Sequence, residues 1–355
     1  MNVRDTLFCR AARREPVERT PVWFMRQAGR VLPEYRAVRE GRTLLEITQV
    51  PELCAEVTLQ PVERFDVDAA VLFADIVSPL VAIGVDVTLV DDVGPVVGHP
   101  IRANADLEAL RPIEPGEDVP HVLETIRIID RELGGRIPVI GFAGAPFTLA
   151  AYLVEGRPSR DFLHTKAMMY SAPALWHALM ERLTAIIVPY LRAQAEAGAG
   201  ALQLFDSWVG ALSPQDYAEF VQPYARRIFS ELRAAGVPLI HFGTNTATLL
   251  DAMKTDGAAV IGVDWRIPLD QAWAQIGHGL GIQGNLDPMA LCGSPEHLKR
   301  AIADVLRRAG GRPGHIFNLG HGLHPATPVE QVQRTVEWVR ELGARADAPL
   351  AAAAR

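Results

Sequence analysis

The chain has 355 residues, 49% of them hydrophobic and 22% charged, with a formal net charge of −7. That balance is ample for a large core, excludes a disordered chain, and argues against a general nucleic-acid surface, so any anion binding must be local. The only lysines are Lys166, Lys254 and Lys299, so arginine carries most of the positive charge and a lone arginine says little by itself.

In chain order, the first apolar run, residues 21–25, breaks off into Arg26, Gln27, Ala28, Gly29 and Arg30. Two arginines around a glycine, straight after a β-type segment, place cationic forks on a loop. Such forks bind carboxylate or phosphate in bidentate fashion. Further near-continuous apolar runs at 69–74, 138–142, 201–205, 238–242, 259–263, 281–284 and 315–319 read as parallel strands buried on both faces. Between them lie amphipathic helical stretches at 53–65, 119–133, 172–197, 214–235, 246–254, 269–276, 295–309 and 328–342. Ser213-Pro214 and Ser294-Pro295 mark helix starts, and Gly236 and Gly310-Gly311 mark stops.

This alternation predicts an α/β fold, a single (β/α)8 barrel domain over residues 1–355 with its site at the C-terminal ends of the strands. Residues 81–102 interrupt the rhythm and read as an inserted hairpin or excursion. The alanine-rich residues 344–355 are expected to fray. Cys9, Cys54 and Cys292 are far apart, without CxxC or Cys/His spacing, which suits a reducing cytosol and neither disulfide nor structural zinc. The N-terminus lacks the apolar core of a signal peptide, and no apolar run reaches membrane-spanning length. A cytoplasmic protein without membrane or nucleic-acid partners is expected.

In such a barrel the residues just after each strand face a common mouth. Here they are Arg26, Asp75, Gly144, Asp206-Ser207, His241, Asp264, Asn285 and His321; all but the glycine are polar or ionisable. Arg26 and Arg30 read either as solvated arginines or as an anion clamp, with Gly29 allowing close approach. Asp75 reads either as a helix N-cap or as a partly desolvated carboxylate that stabilises positive charge. Tyr152 alone is a packing tyrosine, Ser207 a turn cap, and His241 a core histidine; His321 is flanked by glycines that bring backbone close to something.

Absences narrow the chemistry. No lysine ends a predicted strand, and there is no P-loop, GxGxxG or HExxH motif. Asp75, Asp206 and Asp264 could gather a divalent cation, but nothing in their spacing requires it. The residues by themselves point to a barrel lyase or transferase acting on an anionic small molecule.

At these positions the chain resembles the uroporphyrinogen decarboxylase family over about residues 4–342. The resemblance is carried by Met25-Arg-Gln-Ala-Gly-Arg30 within residues 21–36, and by Gly141-Phe-Ala-Gly-Ala-Pro-Phe-Thr-Leu149 followed by Tyr152. Phe73-Ala-Asp-Ile76, Phe205-Asp-Ser-Trp208, Gly284-Asn-Leu-Asp-Pro288 and Asn318-Leu-Gly-His-Gly322 complete it. It implies a distorted (β/α)8 barrel, usually a homodimer, that removes the carboxyl groups of the four acetate side chains of uroporphyrinogen III to give coproporphyrinogen III, with no metal or organic cofactor. It further implies substrate contacts from Arg26, Gln27, Ala28, Gly29, Arg30, Asp75, Tyr152, Ser207 and His321, with Asp75 and Arg26 catalytic. Two other readings compete: a zinc-dependent corrinoid or thiol methyltransferase of the same fold, and a non-catalytic tetrapyrrole binder. Against the first, His241-Phe-Gly243 lacks a neighbouring cysteine and Cys292 a nearby partner.

Overall fold

The computed structural model describes residues 2–90 and 93–344. The tail expected to fray lies outside them apart from Ala344, as do Asp91 and Asp92 of the excursion. Among the described residues the strands are β1 (Ala70–Val71), β2 (Val87–Val90), β3 (Gly94–Val97), β4 (Val139–Gly144), β5 (Ala201–Asp206), β6 (Leu239–Gly243), β7 (Val260–Gly262), β8 (Gly281–Gln283) and β9 (His315–Ile316). Seven of them form one curled sheet in the order β1-β4-β5-β6-β7-β8-β9, every pair parallel. Helices intervene between successive strands, as a βα rhythm demands, and almost every residue of the seven strands is buried.

The expected first strand, residues 21–25, is not a regular strand; it meets its neighbour in a single parallel bridge, Val22 to Phe317. It nevertheless fills the gap between β9 and β1. On the β9 side the Phe317 N–H donates to Pro21 O at 2.9 Å and the Trp23 N–H to Phe317 O at 3.4 Å. On the β1 side the Asp68 N–H donates to Val22 O at 2.8 Å, and the Val22 N–H donates back to Asp68 Oδ2 at 2.8 Å.

Beyond Val22, buried side chains take over from the ladder. The Met25 N–H donates to Asn318 Oδ1 at 3.2 Å, the Phe24 N–H to Gln27 Oε1 at 2.9 Å, and Gln27 Nε2 to Ala69 O at 2.8 Å. Buried backbone groups need partners, and here amide side chains supply them where register fails. Inside the ring, Trp23 Nε1 donates to Gln283 Oε1 (3.1 Å) and Gln283 Nε2 to Gln203 Oε1 (2.9 Å), tying the first segment to β8 and β5.

The helices Leu269–Ile276 and Pro295–Ala309 fall where the apolar period puts them, the latter capped by Ser294, whose Oγ accepts the His297 N–H. The stretch expected as one helix over 214–235 breaks at Val221 into Pro214–Phe220 and Gln222–Leu232. Pro223 has no N–H to continue the first helix and suits the first turn of a second. The expected helix over 246–254 shrinks to Leu250–Met253.

The excursion over 81–102 contains the antiparallel hairpin β2–β3. It is pinned to the helix Pro146–Glu155: the Ile101 N–H donates to Leu153 O and the Val97 N–H to Gly156 O at 2.9 and 2.8 Å. The helix that carries Tyr152 is therefore buttressed on its outer side.

Closure rests heavily on Asp68, 5% exposed, which accepts the Val22 N–H and both ends of the Arg19 fork at 2.7 and 2.6 Å. Replacing it orphans a buried N–H and a half-buried guanidinium. Asp68→Ala is expected to destabilise the protein by about 2–3 kcal/mol in urea unfolding, with the unfolding slope unchanged.

Candidate active site

All seven parallel strands point their C-terminal ends to one side, so the loops after them share a mouth. The loop after the closing segment 21–25 opens beside them and reverses sharply: Arg26 takes a left-handed backbone, φ 60°, and both Arg26 and Arg30 are exposed. The stem of Arg26 lies against Gly322; a Cβ there would overlap Arg26 Cγ and Cδ. That is one reason for the glycines around His321. Ala28 and Gly29 are buried, Gly29 against Phe73 and Tyr35.

Asp75 is half-buried after β1, and its Oδ1 accepts the Val77 N–H at 3.0 Å. It thus shapes the turn before the helix Ser78–Ala82. Burial pushes its carboxyl up from the usual range, while the Val77 N–H, Arg26 and Arg30 pull it down.

Tyr152, on the helix Pro146–Glu155, is 8% exposed; burial raises its phenol, a hydrogen bond from Trp208 opposes that, and Asp75 and Arg26 both act on it. Its ring meets Trp208 edge-on with centroids 6.0 Å apart. Thr148, one turn earlier, donates to Asp206 Oδ1 at 2.8 Å and accepts the Trp208 N–H at 3.2 Å, so helix and β5 loop are clamped together. Phe205, half-buried, stacks edge-on against Phe142 and Phe242 with centroids 5.2 and 5.8 Å away, giving the mouth an apolar wall.

His321 is half-buried on the loop after β9. Burial, then Arg26, Arg30 and Arg266, lowers its imidazole to about 4, so it stands neutral at pH 7, one nitrogen a donor and the other an acceptor. Arg26, Arg30, Asp75, Tyr152 and His321 therefore feel one another electrostatically across one mouth.

Several strand-end residues have other tasks. Gln27 is fully buried, and its side-chain amide is committed to Phe24 and Ala69, so its side chain closes the ring and does not reach the mouth. Ser207 is half-buried, but its hydroxyl does not cap the short 3-10 turn Val209–Ala211; its carbonyl accepts the Thr244 hydroxyl at 2.6 Å. Asp264, 1% exposed, accepts the Asn245 N–H at 2.7 Å and pairs with Arg266. Asn285 donates to Asp264 O at 2.9 Å and Ile267 O at 2.7 Å, holding that loop.

His241 is not at the mouth. It lies within β6, fully buried, facing the covering helices, with Nε2 3.6 Å from Asp206 Oδ2 and Nδ1 3.4 Å from Asp256 Oδ2. Tyr217 donates to Asp256, and Arg226 approaches it at 4.0 Å. Burial lowers the imidazole, and the two aspartates more than offset this, raising it to about 9. The core position expected from sequence holds, but the residue there is an imidazolium between carboxylates. Asp75, Asp206 and Asp264 thus serve separate partners, and among the described residues no three His, Cys, Asp or Glu side chains come together in a metal-binding group.

Arg266 escaped the sequence reading, and Trp208 and Thr148 entered it only inside family motifs, with no role of their own. Arg266 stands two residues past Asp264, and an arginine-rich composition hides a single extra arginine. The arrangement is a mouth with guanidinium groups on one rim, a carboxylate among them and aromatic rings on another side. It suits an anionic ligand with an apolar body.

A sequence model described as uroporphyrinogen decarboxylase (URO-D) matches residues 4–342. A uroporphyrinogen decarboxylase of Thermus thermophilus is 56% identical over 344 residues, covering 97% of this chain and 100% of that protein. One from a Roseiflexus species is 52% identical, covering 95% and 98%. Among solved structures, a methyltransferase from Methanosarcina mazei superposes with a TM-score of 0.79 at 24% identity, covering 95% of this chain and 98% of that one, which is a likeness of fold.

Two titrations check these electrostatics. The raised His241 contributes stability that is fully present below the unfolded value near 6.5 and is lost as pH rises through about 9. Urea unfolding of wild type should weaken between those values relative to His241→Gln; parallel profiles would refute the buried imidazolium. For His321, the imidazole signal in NMR should titrate near pH 4. A midpoint at about 6 or above, close to the unperturbed value, would refute its burial beside the arginines.

Proposed function

This chain belongs to the uroporphyrinogen decarboxylase family, and from that premise we propose that Arg26, Arg30, Asp75, Tyr152, Ser207 and His321 are the residues with which it works. The enzyme is a carboxy-lyase of tetrapyrrole biosynthesis: it converts the four acetate side chains of uroporphyrinogen III to methyl groups, releasing carbon dioxide and leaving coproporphyrinogen III. For the methyltransferase alternative, Cys9 and Cys54 are buried and bonded to backbone carbonyls, and exposed Cys292 belongs to no metal-binding group among the described residues.

The observation that carries the assignment of residues is the placing of Asp75 in reach of Arg26 and Arg30 at one mouth. Eight peripheral carboxylates need cationic forks; four pyrrole N–H groups turned inward need one acceptor. Asp75 Oδ2 supplies the acceptor, and Arg26 and Arg30 bind acetates of the ring presented for reaction.

Decarboxylation leaves an electron pair that the pyrrole accepts only once a ring carbon is protonated. The C–C bond then breaks with loss of carbon dioxide and the pair neutralises the cationic ring, leaving an exocyclic methylene. Protonation of that carbon and return of the first proton from the ring carbon give the methyl group and restore the pyrrole, so one proton is consumed for each carboxylate lost. An anionic Asp75 stabilises the cationic ring as it forms, a stabilisation that exists in the transition state and not in the neutral substrate. Arg26, or a water held on it, delivers the proton, since a guanidinium by itself is a poor acid. Neutral His321 donates one N–H to a side-chain carboxylate, Ser207 hydrogen-bonds another, and Tyr152 presses on the macrocycle beside Asp75 and Arg26.

The proposal extends to a homodimer in the cytoplasm, as the resemblance implies; among the described residues no helix is long and apolar enough to cross a membrane. Asp75→Asn keeps the size and removes the charge. Carbon dioxide release from uroporphyrinogen, assayed without oxygen, should fall at least about a hundredfold in kcat, and retained turnover would remove Asp75 from the stabilising role.

A further inference from the structure

Two arginines are few for a substrate with eight carboxylates, and a third guanidinium stands at the same mouth. Arg266 lies on the loop after β7, its side chain 48% exposed. It is held from two directions. Behind it, buried Asp264 accepts the Arg266 N–H at 3.2 Å and a hydrogen bond from Nη1; beneath it, the guanidinium carbon sits 4.2 Å from the centre of the Trp265 ring. Nη1 supplies one of five donors, and no other described residue is hydrogen-bonded to the rest of the fork.

The loop carrying His321 is locked against this one. A Cβ on Gly320 would come within 2.6 Å of the Trp265 nitrogen and 2.9 Å of Asp264 Cα. Arg266 accordingly acts on His321 together with Arg26 and Arg30. In the ring closed by residues 21–25, β7 stands four places from β1, the strand that leads to Asp75. Arg266 therefore lies across the mouth from Asp75, on the side of the loop that carries His321. A fork fixed by a carboxylate behind and a ring beneath suits a group that keeps its charge throughout turnover, because none of the fork's orientation must change as the reaction proceeds.

Resting on the functional reading above, we propose that Arg266 is a further substrate-binding residue, a preorganised fork for one propionate carboxylate of the macrocycle. The propionates survive the reaction, so the same contact holds substrate and product. Asp264 and Trp265 are positioning residues for it.

The test is steady-state kinetics of Arg266→Gln with uroporphyrinogen, without oxygen, alongside inhibition by coproporphyrinogen. The expected result is a KM raised about tenfold with kcat within about twofold, and a product inhibition constant raised by the same factor. A raised KM with unchanged product inhibition would place Arg266 on an acetate and overturn the propionate assignment. A fall in kcat at constant KM, or no change at all, would overturn it too. Should Arg266→Gln fail to fold by circular dichroism, Arg266→Lys carries the test: it keeps the charge but not the fork, so both constants should rise by one shared, smaller factor. Wild-type protein that releases no carbon dioxide would refute the functional reading instead; direct binding of coproporphyrinogen to wild type and Arg266→Gln would then decide the fork by itself, equal affinities overturning it.

Discussion

Closure of the sheet at Val22 is the constraint on which the rest of the molecule depends. Seven strands pair in sequence order, and a sheet of that kind has two edges unless something joins them. The segment 21–25 does so with little regular ladder, because it must leave the barrel almost at once. Asp68, Gln27 and Asn318 hold its N–H groups where backbone carbonyls would otherwise be required. The chain is then released at Arg26, whose positive φ, 60°, turns it across the mouth. A non-glycine residue in that conformation costs about 1–2 kcal/mol, and the surrounding bonds to Gln27, Asn318 and the 317–323 segment offset it. Closing the ring and placing the arginines are therefore one structural event.

Charge is distributed with the same economy. Positive groups crowd the rim at Arg26, Arg30 and Arg266, where water screens them until a polyanion arrives. Two carboxylates temper them, Asp75 toward the centre and Asp264 behind Arg266. Burial first, and this crowding after it, hold His321 neutral, so that it presents one donor and one acceptor to whatever binds. A second buried group of charges, His241 with Asp206 and Asp256, sits outside the strand ring under the helices. Asp206 links the two regions, since it also receives Thr148, the residue one helical turn from Tyr152.

The alternation of short apolar runs and amphipathic stretches was enough to reveal a parallel α/β barrel, because burial on both faces leaves a pattern that is local in sequence. Long helices with Ser-Pro starts and glycine stops, such as Pro295–Ala309, were legible to the residue. Where tertiary packing competes with local preference, the reading was coarser. Pro223 divides a helical pattern that looks continuous, and the first strand loses its ladder to the geometry of closure.

For the site, sequence by itself determined that Arg26, Arg30, Asp75 and His321 follow buried segments and so belong at strand ends, and the motifs around them marked the family. Only the tertiary structure decided which strand-end residues look into the mouth. His241 and Gln27 have polar side chains in the right stretches, yet one faces the helices and the other seals the ring. Side-chain direction along a short, twisted strand and the partners a buried group finds are set by neighbours distant in sequence. Arg266 shows the converse: Asp264 and Trp265 are its neighbours in sequence, but the loop through Gly320 meets them only once the barrel is closed.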